Sequence, residues 1–147
     1  MGNGSKVAES LKVGDKVGEI EIEITEEMID SYAAAIEDSD PFFMKRDLSG
    51  RRTAYPELLP KYAMKKLWEE PLFDLMPNIR AKQAYTYFEP VKTGVTYRAT
   101  GYVKGKYEKR GKQFIVFEAT FIDEAGKEVL KDTRTQLILT EDFKIGS

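Results

Sequence analysis

The 147-residue sequence contains neither cysteine nor histidine. The first absence excludes a disulfide framework, a thiolate nucleophile and Cys-ligated zinc. The second removes the commonest zinc ligand, and with it the side chain that changes charge near neutral pH without help. Oxygen-ligated Mg2+ or Ca2+ is the metal option left. Long apolar runs are lacking too. No window approaches the roughly 20 apolar residues of a bilayer span, and residues 1–10 carry no apolar stretch of the kind a signal peptide needs. A cytoplasmic location without a membrane partner is therefore the expectation. A charge excess is also missing: 23 Lys and Arg face 25 Asp and Glu, for a net charge of -2. Such a balance offers no field to gather a polyanion, so nucleic acid is not an expected partner.

What is present suits one soluble globular unit, with 41% hydrophobic and 33% charged residues. A chain of this length buries a core without covalent staples. Residues 1–10 are expected to be a flexible lead-in rich in Gly and Ser, residues 11–143 a single domain, and residues 144–147 a tail. From Gly18 to Ile24 the sequence alternates strictly, with Ile20, Ile22 and Ile24 on one face and Glu19, Glu21 and Glu23 on the other. That is the pattern of a half-buried strand. Thr25 then stands where a helix N-cap belongs, with Glu26 and Glu27 placed favourably in the first turn. Met28, Ile29, Tyr32, Ala33 and Ile36 share a helical face, and Pro41 forces a stop near Asp38–Asp40. Residues 42–55 read as irregular, with room for one short helical turn. Helical spacing returns over Leu58–Glu70 through Leu58, Leu59, Tyr62, Ala63, Lys66 and Leu67, with Pro60 tolerated in the first turn and Pro71 as the stop.

The second half reads as four strands, Ile79–Glu89, Val95–Lys106, Gln113–Ile122 and Glu128–Leu139, rich in β-branched and aromatic residues and separated by turn signals. They are expected to pair consecutively and antiparallel. The third is apolar on both faces, so it should be central, with the long helix on one side. The expected class is α+β: an antiparallel sheet wrapped around a central helix, the hotdog arrangement.

Three stretches together resemble the MaoC-like dehydratase family, in particular its N-terminal or non-catalytic modules. Thr25–Phe43 (TEEMIDSYAAAIEDSDPFF) is similar to the family's helix followed by G-D-x-N-P-x-H. Thr53–Leu58 (TAYPEL) looks like the turn that opens the central helix. Phe88–Gly111 (FEPVKTGVTYRATGYVKGKYEKRG) matches a strand, a Pro-x-x-x-Gly turn, a long strand and a Glu-Lys-Arg-Gly turn. In the family an Asp and a His, five positions apart, orient a water and move protons as it adds across an enoyl thioester. By resemblance the Asp is Asp38, while Phe43 stands at the His position, Glu37 at the Gly and Asp40 at the Asn, with Pro41 kept.

The resemblance implies an acyl-thioester ligand, carried on coenzyme A or acyl carrier protein, no cofactor, and a second hotdog subunit in a homodimer or heteromer. Each candidate also has a plain structural reading. Asp38, the catalytic candidate, equally serves helix termination, and a lone solvated carboxylate with a pKa of about 3.9 is a weak base at neutral pH. Asp38 with Asp40 reads as a carboxylate pair or as two solvated turn residues. Phe42, Phe43, Tyr55, Tyr62 and Trp68 read as walls of an acyl tunnel or as core. Glu57 favours the helix dipole or faces a thioester. The backbone N–H groups around Tyr55, Pro56, Glu57 and Leu58 are candidates for a thioester carbonyl. The basic cluster Lys104, Lys106, Lys109, Arg110 and Lys112 reads as a phosphate contact or as a solvated hairpin tip. The expected function is acyl-thioester binding as the non-catalytic half of a hydratase. The alternatives are a thioesterase or unorthodox hydratase using Asp38 or Glu57, and a ligand-free dimer.

Overall fold

The computed structural model describes residues 4–75 and 78–139. Gly4–Ser10 forms helix α1, so ordered chain begins upstream of residue 11, where a flexible lead-in was expected. Its Ala8 is fully buried, and Lys106 donates from Nζ to the carbonyls of Ala8 and Leu11 at 2.6 and 2.8 Å, satisfying acceptors that the end of a helix leaves open. Strand β1 is Lys16–Glu23 and helix α2 is Glu26–Ala35. The expected cap is in place: the Thr25 hydroxyl accepts from the Met28 N–H at 3.2 Å. A short 3-10 turn covers Pro41–Phe43. The central helix α3 spans Leu58–Met64 and runs on as a π-helical turn over Lys65–Glu69.

Strands β2 (Asn78–Tyr87), β3 (Thr96–Lys109), β4 (Lys112–Ile122) and β5 (Glu128–Ile138) complete one five-stranded antiparallel sheet. Its order is β1-β3-β4-β5-β2. The expectation of consecutive pairing fails at one place: β2 is joined to β5 and not to β3. The Pro90–Gly94 segment reads like a hairpin turn in sequence, yet it carries the chain across, anchored by Ala54 N–H to Val91 O and Thr93 N–H to Arg52 O. Strand β4 is central as expected.

Side chains alternating along β3, β4 and β5 fill the concave face. Tyr97, Ala99 and Val103, then Ile115, Phe117, Ala119 and Phe121, then Leu130 and Ile138 are buried there against Leu58, Leu59, Ala63, Leu67 and Trp68 of the helix. Each large apolar side chain so buried contributes about 1.5–3 kcal/mol. The helix lies close because two glycines face each other across β1 and β3. Gly18 pairs with Gly101, and a Cβ at either would press on the Leu67 carbonyl or the Trp68 ring. Trp68, within the π turn, is core, while Tyr62 and Lys66, assigned to the buried face by helical spacing, are exposed. Ile36, likewise assigned inward, caps α2 and is exposed. The basic cluster is dispersed: Lys104 pairs with Glu118, Lys106 caps α1, and the tip turns through Arg110 and Gly111 at positive φ.

Candidate functional site

Helix α2 ends in a sequence of interlocked turns. Glu37 takes the left-handed conformation (φ 54°), after which the Asp38 N–H bonds back to the Ala33 carbonyl at 2.9 Å. Asp38 Oδ1 accepts from the Asp40 N–H at 3.1 Å, and Asp40 Oδ1 accepts from the Phe42 N–H at 2.9 Å. Each carboxylate thus holds the next turn, which is the ordinary role of Asp beside a proline. The other oxygen of Asp38 does something local sequence does not announce. It accepts a hydrogen bond of 2.5 Å from the hydroxyl of Tyr55.

Tyr55 is buried between two aromatic neighbours, stacked on Phe43 at 3.9 Å and edge-on to Tyr32 at 5.0 Å. Phe42 in turn meets Phe43 edge-on at 5.1 Å but leaves half its surface in solvent. Burial first, and the Asp38 hydrogen bond and charge second, push the Tyr55 phenol up to about 12. It therefore remains a proton donor throughout the neutral range.

The loop that carries Phe43 is fixed by Arg52, a side chain whose importance no spacing rule picks out. It is buried, and its Nε donates to the Phe43 carbonyl at 2.9 Å while its Nη2 meets Asp30 at 2.9 Å and its Nη1 reaches Glu26 at 3.4 Å. The Asp30 hydrogen bond leads the contacts that hold this guanidinium in its charged form. Arg46 also grips Glu26 through both terminal nitrogens, and that hydrogen bond holds the Glu26 carboxyl below its usual range.

The structure thus brings Asp38, Phe43, Phe42 and Tyr55 together. Pro56 is half-buried beside them. Leu58 is fully buried, and its N–H is already donated to the Tyr55 carbonyl at 3.0 Å, while Leu59 donates to Pro56. The expectation that N–H groups here face a ligand is corrected at Leu58, because the first turn of the helix consumes that donor. Glu57 makes no side-chain cap and is exposed. It lines a groove of about 460 Å3 with Lys61, Arg80, Gln83 and Tyr85, whose lining does not include Asp38. Trp68 lies at the other end of the helix, hydrogen-bonded to Asp132, and is no part of the aromatic group around Phe43. Among the described residues no cluster of three acids suited to a metal occurs.

Residues 11–132 match the family described as FAS1-like, dehydratase domain region. The chain belongs to that family. No curated protein matches this dehydratase-family chain. Among solved structures it resembles the (R)-hydratase of A. caviae involved in PHA biosynthesis (TM-score 0.67, 17% identity, 88% of this chain and 98% of that one). It also resembles the MaoC-like dehydratase of Rhodospirillum rubrum (0.67, 16%, 92% and 97%) and the ChsH1–ChsH2 complex of Mycobacterium tuberculosis (0.74, 12%, 97% and 94%). At these identities the likeness carries the fold: a MaoC-like hotdog, as the three sequence stretches imply.

Proposed function

We propose that this dehydratase-family chain binds acyl thioesters but performs no hydration of its own, acting as the non-catalytic half of a hotdog pair. One observation carries the reading: the carboxylate of Asp38 is engaged by the hydroxyl of Tyr55, whose ring is stacked on Phe43. Adding water to an enoyl thioester requires a group that takes a proton from water and one that returns it to carbon. Phe43 carries no exchangeable proton, and Tyr55 keeps its own up to about pH 12. The scaffold that positions these groups is retained while proton exchange is not.

The pairing half of the reading is supported by the surface beside the helix. Tyr85 and Tyr87 on β2, with Tyr62 on α3, are exposed. Among the described residues, the edge of β2 opposite β5 ends the sheet. Unpaired edges of this kind invite strand addition. The Mycobacterium tuberculosis structure is itself a complex of two differently named chains. A heteromer whose partner supplies the Asp and His, or a homodimer, fits this surface.

The purified chain is expected to bind a saturated acyl-CoA in calorimetry and to leave crotonyl-CoA unhydrated. Turnover at an ordinary hydratase rate would sink the proposal. The double variant Phe43→His, Tyr55→Phe, which restores imidazole and frees Asp38, is expected to gain measurable hydration. The thioesterase alternative keeps one observation of its own, the exposure of Glu57 on a groove with three cations, Lys61, Lys65 and Arg80. Release of free thiol that disappears in Glu57→Gln would favour it.

A further inference from the structure

Three cationic side chains turn towards the interior of this fold. Arg52 meets Asp30 and Glu26, and Arg134 Nη2 donates to Asp132 Oδ2 at 2.9 Å. Lys106 has no such acid. Among the described residues it makes no ion pair, and its Nζ donates instead to two backbone carbonyls, Ala8 O at 2.6 Å and Leu11 O at 2.8 Å.

Those carbonyls lie at the C-terminal end of α1, a helix with little to hold it by itself. Gly4–Ser10 is seven residues long, whereas an isolated helix needs roughly 12–15 to be even marginal in water. It begins on Gly4 and Ser5, poor helix formers. It carries no acid in its first turn and no base in its last. The cation that complements its dipole comes from β3, 98 residues beyond Ala8. The chain that follows is tied separately. The Leu11 N–H bonds back to Val7 O, the Lys12 N–H bonds forward to Asp15 Oδ2, and the Gly14 N–H reaches Val103 O. A hinge therefore falls between Leu11 and Lys12, and the dehydratase-family match begins at that point, at residue 11.

Docked, α1 packs on the Phe73–Leu75 turn and on β5. Its apolar grip consists of Ala8, fully buried, with Val7 and Leu11 partly buried against the core. Leu75 and Ile138, at the ends of the two elements it touches, are buried.

We propose that α1 is a latch. It opens as a unit, ahead of the sheet, by swinging about Leu11 and Lys12, and its opening frees the Phe73–Leu75 turn and bares Leu75 and Ile138. Lys106 is the catch. The latch does not rest on the acyl-thioester reading, because none of its residues belongs to the Asp38–Tyr55 group.

Native-state hydrogen exchange on the full chain separates the parts. The amides of Ala8–Leu11 are expected to exchange at least about 100-fold faster than those of β4, with little dependence on denaturant, because a local opening exposes little surface. Lys106→Met keeps the aliphatic stem and removes the donors. It is expected to speed exchange at Ala8–Leu11 and at the Leu75 amide by about 10-fold while β4 stays unchanged. Ala8→Asp, which places a charge where the helix is buried, should give the same pattern with the lysine intact. Lys104→Met, which touches the Glu118 pair and not α1, should leave α1 protected. Exchange at Ala8–Leu11 that tracks β4 through denaturant, an α1 indifferent to Lys106→Met, a Leu75 amide that stays protected when α1 opens, or an equal loss of protection in β4 would each overturn the proposal.

Discussion

The two ends of the central helix treat buried polarity in opposite ways. Before its first turn, Asp38, Asp40 and Tyr55 form a short series in which each named acceptor has a donor, and Arg52 finds partners on three sides. At its π turn, Asp132 and Arg134 are buried, Gln136 is half-buried, and three of their side-chain atoms are left unpaired. Satisfied polar groups specify one conformation, whereas an unpaired buried group costs its desolvation.

The largest effect should come from breaking the far pair. Arg134→Leu leaves the Asp132 carboxylate buried without its cation and is expected to cost about 3–5 kcal/mol in urea denaturation. Asp132→Leu combined with Arg134→Met should recover most of that loss, and failure to recover would mean the pair is not the source. Next, Gly101→Val should cost about 2–3 kcal/mol by driving methyl groups into the Trp68 ring, with blue-shifted or broadened indole emission as the local sign.

At the near end, Tyr55→Phe removes one hydrogen bond to a carboxylate and should cost about 1.5 kcal/mol. The pH dependence has a definite sign. Tyr55 has a pKa of about 12 in the fold against 10 for an ordinary phenol, so its contribution is complete below pH 10 and is lost as pH rises towards 12. The stability difference between native chain and Tyr55→Phe should therefore shrink over that window. The smallest effect runs the other way. Glu37→Gly relieves a left-handed residue and should stabilise the fold by about 1 kcal/mol, visible as a raised Tm.

Much of this architecture was legible in local pattern. The Ile20, Ile22, Ile24 alternation, the Thr25 cap and the apolar faces of β4 identify elements because period and capping chemistry are short-range. Non-local pairing was not legible: nothing within β2 says that its neighbour is β5, since the intervening Pro90–Gly94 looks like any hairpin turn. The loop site was half visible. Asp38 and Phe43 stand in a motif, whereas Tyr55 as the partner of Asp38 needs two segments to fold together. Arg52 follows Arg51 in sequence without distinction, and only packing buries one and exposes the other. The Asp132–Arg134 pair looked like an ordinary alternating strand, because polar residues at period two usually face water.

The placement of β2 has a consequence for how the chain is made. Asn78 pairs with Ile138, so this strand leaves the ribosome well before the residues it will bond. Tyr85, Tyr87 and Phe88 meanwhile sit on a ribbon with no sheet to join. Closure of the sheet is expected to be the late, slow event of folding, because it pairs strands far apart in sequence. A nascent chain halted before Glu128 would present its aromatic strand to any neighbour able to extend it.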